Sequence, residues 1–329
     1  MVGCLARPSR AVLATLVALS LVCASPQPAQ ADDHQTALPT HAELGPMRHL
    51  WQTLNNCGPA AVVMALSLFG IEADQEVARQ ALRGPDVRRG MGPGPVDPWV
   101  SEQYGLRSVS RVNGTVELMK RLVANGFAPM VTQWMQDPSI SRIAHWRVVR
   151  GYDDDTTSFF VNDPMLGANV SLSYDWFNAN WQPFSYRWMV LYEPKDLGRL
   201  QQLIGADWSE SGMRDAFYAR AQADAYTQDT SAAWLTYGEA AYLDGWFAES
   251  VAAFDRGMQL GSATGVFTVR SSYPQALRAL GRQNDANAMA ASLATLSATP
   301  ASAAQLPDRY ATFMAYRRAR AERLVARLE

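Results

Sequence analysis

Cysteine, histidine and net charge are all scarce in this chain, and each shortage closes off a class of function. Of the three cysteines, Cys4 and Cys23 lie in an N-terminal stretch that reads as an export signal. That leaves Cys57 alone and rules out an internal disulfide in the exported protein. The formal net charge is −2, which gives none of the basic footprint that a nucleic-acid partner requires. Beyond residue 31 no segment reaches the ~18 uncharged apolar residues of a spanning helix, so no stable membrane insertion is expected once the signal is removed. Histidine amounts to four residues. His34, His41 and His49 all precede Cys57, in or near a polar leader, so His145 is the one strong base candidate inside the folded part. No cofactor or metal is called for.

What is present begins with an address. Arg7 and Arg10 precede an apolar stretch, Ala11 to Ala24, and Ala29-Gln30-Ala31 supplies a small-x-small cleavage site, so residues 1–31 read as a secretory signal and the mature chain is expected to start at Asp32. A lipid-attachment role for Cys23 is disfavoured by Val22 before it, where a small residue is needed. The expected location is exported, periplasmic or extracellular. The remainder exceeds a typical domain of ~100–200 residues, so two domains are expected. Composition shifts near Pro194, from Gly/Pro-rich loops and period-two strands to alanine-rich helical periodicity. The expected organisation is a flexible leader over 32–45, a catalytic domain over 46–193 and a helical domain over 194–329.

Cys57 opens an uncharged run, CGPAAVVMALSLF, that reads as a helix buried nearly all round. The first N–H groups of a helix lack partners and favour negative charge, so a thiol there is more acidic than a free one. Asp74 is expected to cap a second helix, Arg88–Pro98 to form a loop, and Thr115–Asn125 to form an amphipathic helix closed by Gly126. Strands follow at Ala128–Trp134, Ala144–Tyr152, Ser158–Pro164 and the last segment RWMVLYEP, with YDWFNANW between. Helices followed by an antiparallel sheet make an α+β pattern.

The hairpin around Asp153-Asp154-Asp155 brings His145 and Asp163 together, since His145 lies as far before the turn as Asp163 lies after it. His145 is expected to hold Cys57 as a thiolate–imidazolium pair, Asp163 to orient the ring, and Gln52 to aim an amide at the oxyanion beside the Cys57 N–H. Taken singly, a strand histidine is commonly a core residue, an Asp before Pro a turn former and a Gln a solvated surface group. In the order Gln-Cys-His-Asp they make a set of catalytic parts. Asn162 competes with Asp163 for the third role, because neighbouring strand residues face opposite ways.

The motifs QTLNNCGPAAVVMAL, HWRVVRGYDDD and FFVNDP resemble those of papain-like cysteine peptidases that process bacteriocin leaders at double-glycine sites, in particular their stand-alone exported relatives. The resemblance covers roughly residues 46–193. It implies a papain-like fold with its cleft between the helical part and the sheet, Cys57 as nucleophile, His145 as base, Asp163 as orienter and Gln52 as oxyanion donor. Two features depart from the family. Leader-processing members are usually fused to a membrane transporter, and the family glutamine often lies one residue further from the cysteine than Gln52 does.

Past Pro194, Trp234, Gly238, Gly245, Phe247 and Phe254 fall at the large and small positions of a tetratricopeptide repeat, and Gly281 suggests a second copy near the ~34-residue period. A helix over Asp308–Leu328 is expected to cap the array. Three functions use these parts: a secreted cysteine peptidase acting on a peptide or protein substrate docked on the helical domain, an acyl transferase using the same triad, and a peptide-binding scaffold without turnover.

Overall fold

The computed structural model describes residues 38–86, 89–137, 140–261 and 267–297. The expected signal, the start at Asp32 and the helix over Asp308–Leu328 lie outside the described residues. The elements run β1 (His41–Glu43), α1 (Cys57–Leu66), α2 (Gln75–Leu82), α3 (Val96–Tyr104), β2 (Arg107–Arg111), α4 (Val116–Ala124), β3 (Met130–Asp137), β4 (Ile140–Asp153), β5 (Ser158–Asp163), β6 (Gly167–Ser173), α5 (Tyr174–Trp181) and β7 (Trp188–Tyr192). Then come α6 (Leu197–Ile204), α7 (Glu210–Gln228), α8 (Ser231–Leu243), α9 (Phe247–Leu260), α10 (Val269–Ala279) and α11 (Gln283–Ser297). The first set is an antiparallel sheet in the order β2-β7-β3-β4-β5-β6 with helices packed on it; the second is all helical.

Helix α1 is the core of the first part. Every residue from Gly58 to Leu66 is buried, and the helix packs against β4, β3 and α2. Burial of each large side chain here, Val62, Met64 and Leu66 among them, is worth about 1.5–3 kcal/mol. Asp74 accepts hydrogen bonds from the N–H groups of Glu76 and Val77 at the start of α2, and Thr115 from Leu118 at the start of α4, as capping chemistry requires.

Two local expectations are corrected. Residues 41–43 of the expected leader form β1, which pairs with the far end of β4 (Ala42 opposite Tyr152) where β3 has ended. Leu44 N–H bonds to Arg150 O, and the Tyr152 hydroxyl donates to Pro39 O, so the backbone of this stretch satisfies its polar groups in the sheet. The expected loop Arg88–Pro98 ends early, because α3 starts at Val96. Pro98 is its third residue, where a missing N–H costs nothing.

The hydrophobic core is continuous across Pro194. Leu200, Phe217, Ala221, Tyr237 and Ala240 of the helical part belong to the same buried cluster as Met64, Val148 and Trp188. Polar contacts reinforce the joint: Arg220 donates to Gly114 O at 3.0 Å and lies 3.9 Å over the Tyr186 ring, and Arg111 donates to Trp208 O. Within the helical part α8 and α9 pack on each other so closely that a Cβ on Gly238 would stand 2.5 Å from the Phe254 ring. Gly245 and Gly281 both take positive φ, 83° and 73°, in the turns after α8 and α10, a conformation that glycine adopts without strain.

Candidate active site

Three elements converge on Cys57. Its own helix opens with Asn56, whose side chain makes no capping bond. Instead Asn56 Oδ1 accepts from Arg83 Nε and Nη2 at 3.0 and 2.9 Å, and its amide donates to Thr53. With the cap side chain turned away, the free N–H groups at the start of α1 are left for the sulfur. Cys57 is a free, half-buried thiol. Burial alone would raise its pKa, but the neighbouring His145, with the N–H groups of Trp146 and Gly58, outweighs it and the pKa is lowered. Gly58 is required sterically, since a Cβ there would lie 2.6 Å from Met91 Cβ.

His145, on β4, is fully buried. Its Nε2 is bonded to Asp163 Oδ1 at 2.8 Å, and Nδ1, which has no hydrogen-bond partner among the described residues, is the nitrogen left available to Cys57. Burial disfavours the imidazolium, yet the Asp163 charge and hydrogen bond and the Cys57 sulfur raise the pKa above its ordinary value. Asp163 is the hub. Oδ1 also accepts from the N–H groups of Met165 and Leu166 at 2.7 and 2.8 Å, and Oδ2 accepts from Arg147 Nε at 2.7 Å. Burial opposes its charge, but His145 and Arg147 hold the carboxyl well below the usual carboxylate range.

The structure brings Cys57, His145 and Asp163 together, but not through the simple hairpin count. A bulge between Val149 and Gly151 shifts the β4–β5 register, so that Val148 faces Asn162. One more step along that register sets Asp163 opposite Arg147, and His145 reaches Asp163 diagonally on the same face. Asn162 points elsewhere: its Oδ1 accepts from Asn169 N–H at 3.2 Å. Gln52 is buried, its main-chain N–H bonds to Pro164 O next to Asp163, and among the described residues its Oε1 has no hydrogen-bond partner. His49, which the sequence reading left in or near the leader, sits beside the site with Nε2 3.0 Å from Asp163 O.

Sequence reasoning missed Arg147 and its support. Arg147 Nη1 donates to Gln133 Oε1 at 3.0 Å, and Gln133 Nε2 donates to Phe177 O at 2.7 Å, so a buried chain runs from α5 through β3 and β4 to the carboxylate. The signal was present: Arg147 lies two residues after His145, on the same strand face. Also missed was a cavity of about 410 Å³ beside the thiol, lined by Cys57, Met91, Trp146, Phe184, Arg187 and, from the helical part, Phe267.

The Peptidase_C39 like family model matches residues 34–189. This segment belongs to that family. It is accordingly a cysteine-type peptidase domain with the family's α+β fold, followed by an all-helical region. Similar solved structures include a C39-like peptidase from Bacillus anthracis, 14% identical over 46% of this chain and 98% of that one, with a TM-score of 0.40. A double glycine motif protease from an AMS/PCAT transporter, in complex with the leader peptide, is 20% identical over 46% of this chain and 94% of its own, with a TM-score of 0.35. The peptidase domain of Streptococcus ComA, a bi-functional ABC transporter, is 16% identical over 45% and 99%, also at 0.35. No curated protein matches the chain.

Proposed function

We propose that this C39-like peptidase is exported and cleaves peptide bonds through a Cys57–His145–Asp163 triad and a thioester intermediate. The observation that carries the reading is the grouping of a half-buried thiol at the start of α1 with a buried histidine whose other nitrogen bonds a buried carboxylate. The Cys57 thiolate attacks the scissile carbonyl, and the oxyanion that forms is met by the Cys57 N–H at the start of α1 and by the Gln52 amide. His145 Nδ1–H then protonates the leaving amine as the C–N bond breaks, leaving the acyl group on sulfur. Water enters, His145 takes its proton, and hydroxide displaces the thiolate to release the acid. Asp163 holds the ring in the tautomer and orientation for both transfers. Export is supported by the Ala29-Gln30-Ala31 site, and among the described residues no helix is long and apolar enough to cross a membrane. The helical region, with its close-packed pairs α8–α9 and α10–α11, is the part we assign to docking the rest of a protein substrate.

The test is cleavage of a peptide library by the mature protein beside Cys57→Ala and His145→Ala. Each substitution is expected to lower turnover by about 10²-fold or more. Undiminished cleavage by Cys57→Ala ends the proposal. Product masses with and without an added amine separate hydrolysis from acyl transfer, and N-terminal sequencing of the exported protein, expected to begin at Asp32, checks the location.

A further inference from the structure

The wall of the cavity beside Cys57 is mostly apolar, yet it carries a guanidinium that the fold leaves unpaired. Trp146 pairs with Thr132 across β3 and β4, and both line the cavity together with Phe184 and Arg187. Arg187 is half-buried, and among the described residues its guanidinium makes no hydrogen bond and no ion pair within 4.0 Å. The charge that opposes it is Glu239 on α8, itself buried and more than 4.0 Å away. A cation held in an apolar recess with no carboxylate within 4.0 Å attracts a carboxylate, because part of its desolvation has already been met in the free protein.

Part of the wall comes from outside the family segment. Phe267 precedes α10. Its N–H bonds to Pro183 O at 2.8 Å, its ring stacks on Phe184 with centroids 5.1 Å apart, and Trp134 closes on it edge-on at 6.0 Å. The helical region thus supplies part of the surface that faces the nucleophile.

We propose that this cavity recognises a carboxylate of the substrate, bound by the Arg187 guanidinium, with the neighbouring apolar part of the substrate against Phe184 and Phe267. The inference rests on the reading of Cys57 as the nucleophile. The carboxylate can come from an Asp or Glu side chain or from a free peptide C-terminus.

Binding of labelled leucine- and alanine-based peptides to full-length Cys57→Ala tests it by fluorescence anisotropy, with Asp against Asn and Glu against Gln at each position, and free-acid against amidated C-termini. One of the two acid sources is expected to bind about 10- to 100-fold tighter than its amide. Adding Arg187→Gln should level that difference, and Arg187→Lys should restore part of it. Phe267→Ala should weaken acid and amide peptides alike. Equal binding of acids and amides, or a preference that survives Arg187→Gln, overturns the proposal. Melting curves and the alkylation rate of Cys57 in Arg187→Gln show that its fold is intact. The two readings fail separately. Loss of the acid preference with peptides still cleaved by the unmodified chain removes the carboxylate site only, and an acid preference without cleavage removes the peptidase reading only.

Discussion

Asp163 serves two cations at once, His145 through Oδ1 and Arg147 through Oδ2, and this sharing sets what substitution there should do. In Asp163→Asn an amide NH2 must face either the imidazole N–H or the guanidinium, and Arg147 is left as a buried cation without its anion. Breaking one partner of a buried pair costs about 3–5 kcal/mol, so Asp163→Asn should be a destabilised protein as well as a slow one. Combining it with Arg147→Met removes the orphaned charge, and the double variant should regain part of the loss, with a coupling of about 0.5–3 kcal/mol. Denaturant titration of the four proteins checks this, and simple additivity would show that the pair does not act as a unit. The same contacts set the pH profile. Cys57 is lowered and His145 raised, so the ion-paired form fills the interval between them. The acid limb of kcat/KM should lie below the ordinary thiol value of ~8.5 and the basic limb above the ordinary imidazole value of ~6.5. Asp163→Asn removes the anion that raises His145, so its basic limb should move to lower pH. A limb that stays in place would show that Asp163 does not tune the base.

Elements differ in how plainly the sequence announces them, and the reason is burial. Helix α1 and strands β3 to β5 carry long apolar or alternating patterns because they face the core on one or both sides. β2, with the sequence RSVSR and a single buried residue, lies at a sheet edge and leaves no such pattern; nor does β6 at the other edge. The catalytic types were legible because Cys57 opens a helix, Asp163 closes a strand, and His145 is the one histidine beyond Cys57 in the sequence. Arg147 shares the strand face of His145 but is easily passed over, since a cation on a strand reads as solvent-facing until its partners are known. Arg187 and Phe267 meet the site only through tertiary packing. In the helical part the repeat-like glycine at 238 has a direct steric role, and the prediction is specific to it. Gly238→Ala drives a Cβ into the Phe254 ring, and overpacking of this kind costs about 1–3 kcal/mol. Thermal unfolding should report the loss. Reducing Phe254 to Leu in the same chain should recover part of it, and an unchanged melting temperature in Gly238→Ala would mean that the helix pair is looser than its geometry.

At the scale of the whole molecule the composition boundary and the packing boundary do not coincide. Residues before Pro194 hold every proposed catalytic group, which suggests a separable catalytic domain. Yet the first helices beyond it share its core: Leu200, Phe217 and Tyr237 are buried with Val148 and Trp188, and Arg121 donates to Leu203 O at 3.0 Å. A chain ending at Pro194 would expose that apolar face to water, at about 25 cal/mol for each Å² uncovered, and would leave Gly114 O without its Arg220 donor. Such a chain is expected to aggregate or to lose the rapid alkylation of Cys57. A chain ending at Gly261 keeps α6 to α9 and their part of the shared core, while it removes Phe267 and the helices after it. It should remain folded enough to alkylate at Cys57, with weaker binding of peptides that reach the cavity. Alkylation rates and solubility of the two truncations decide the matter. If the chain ending at Pro194 proves soluble and fully reactive, the shared core is dispensable and the two parts are independent domains after all.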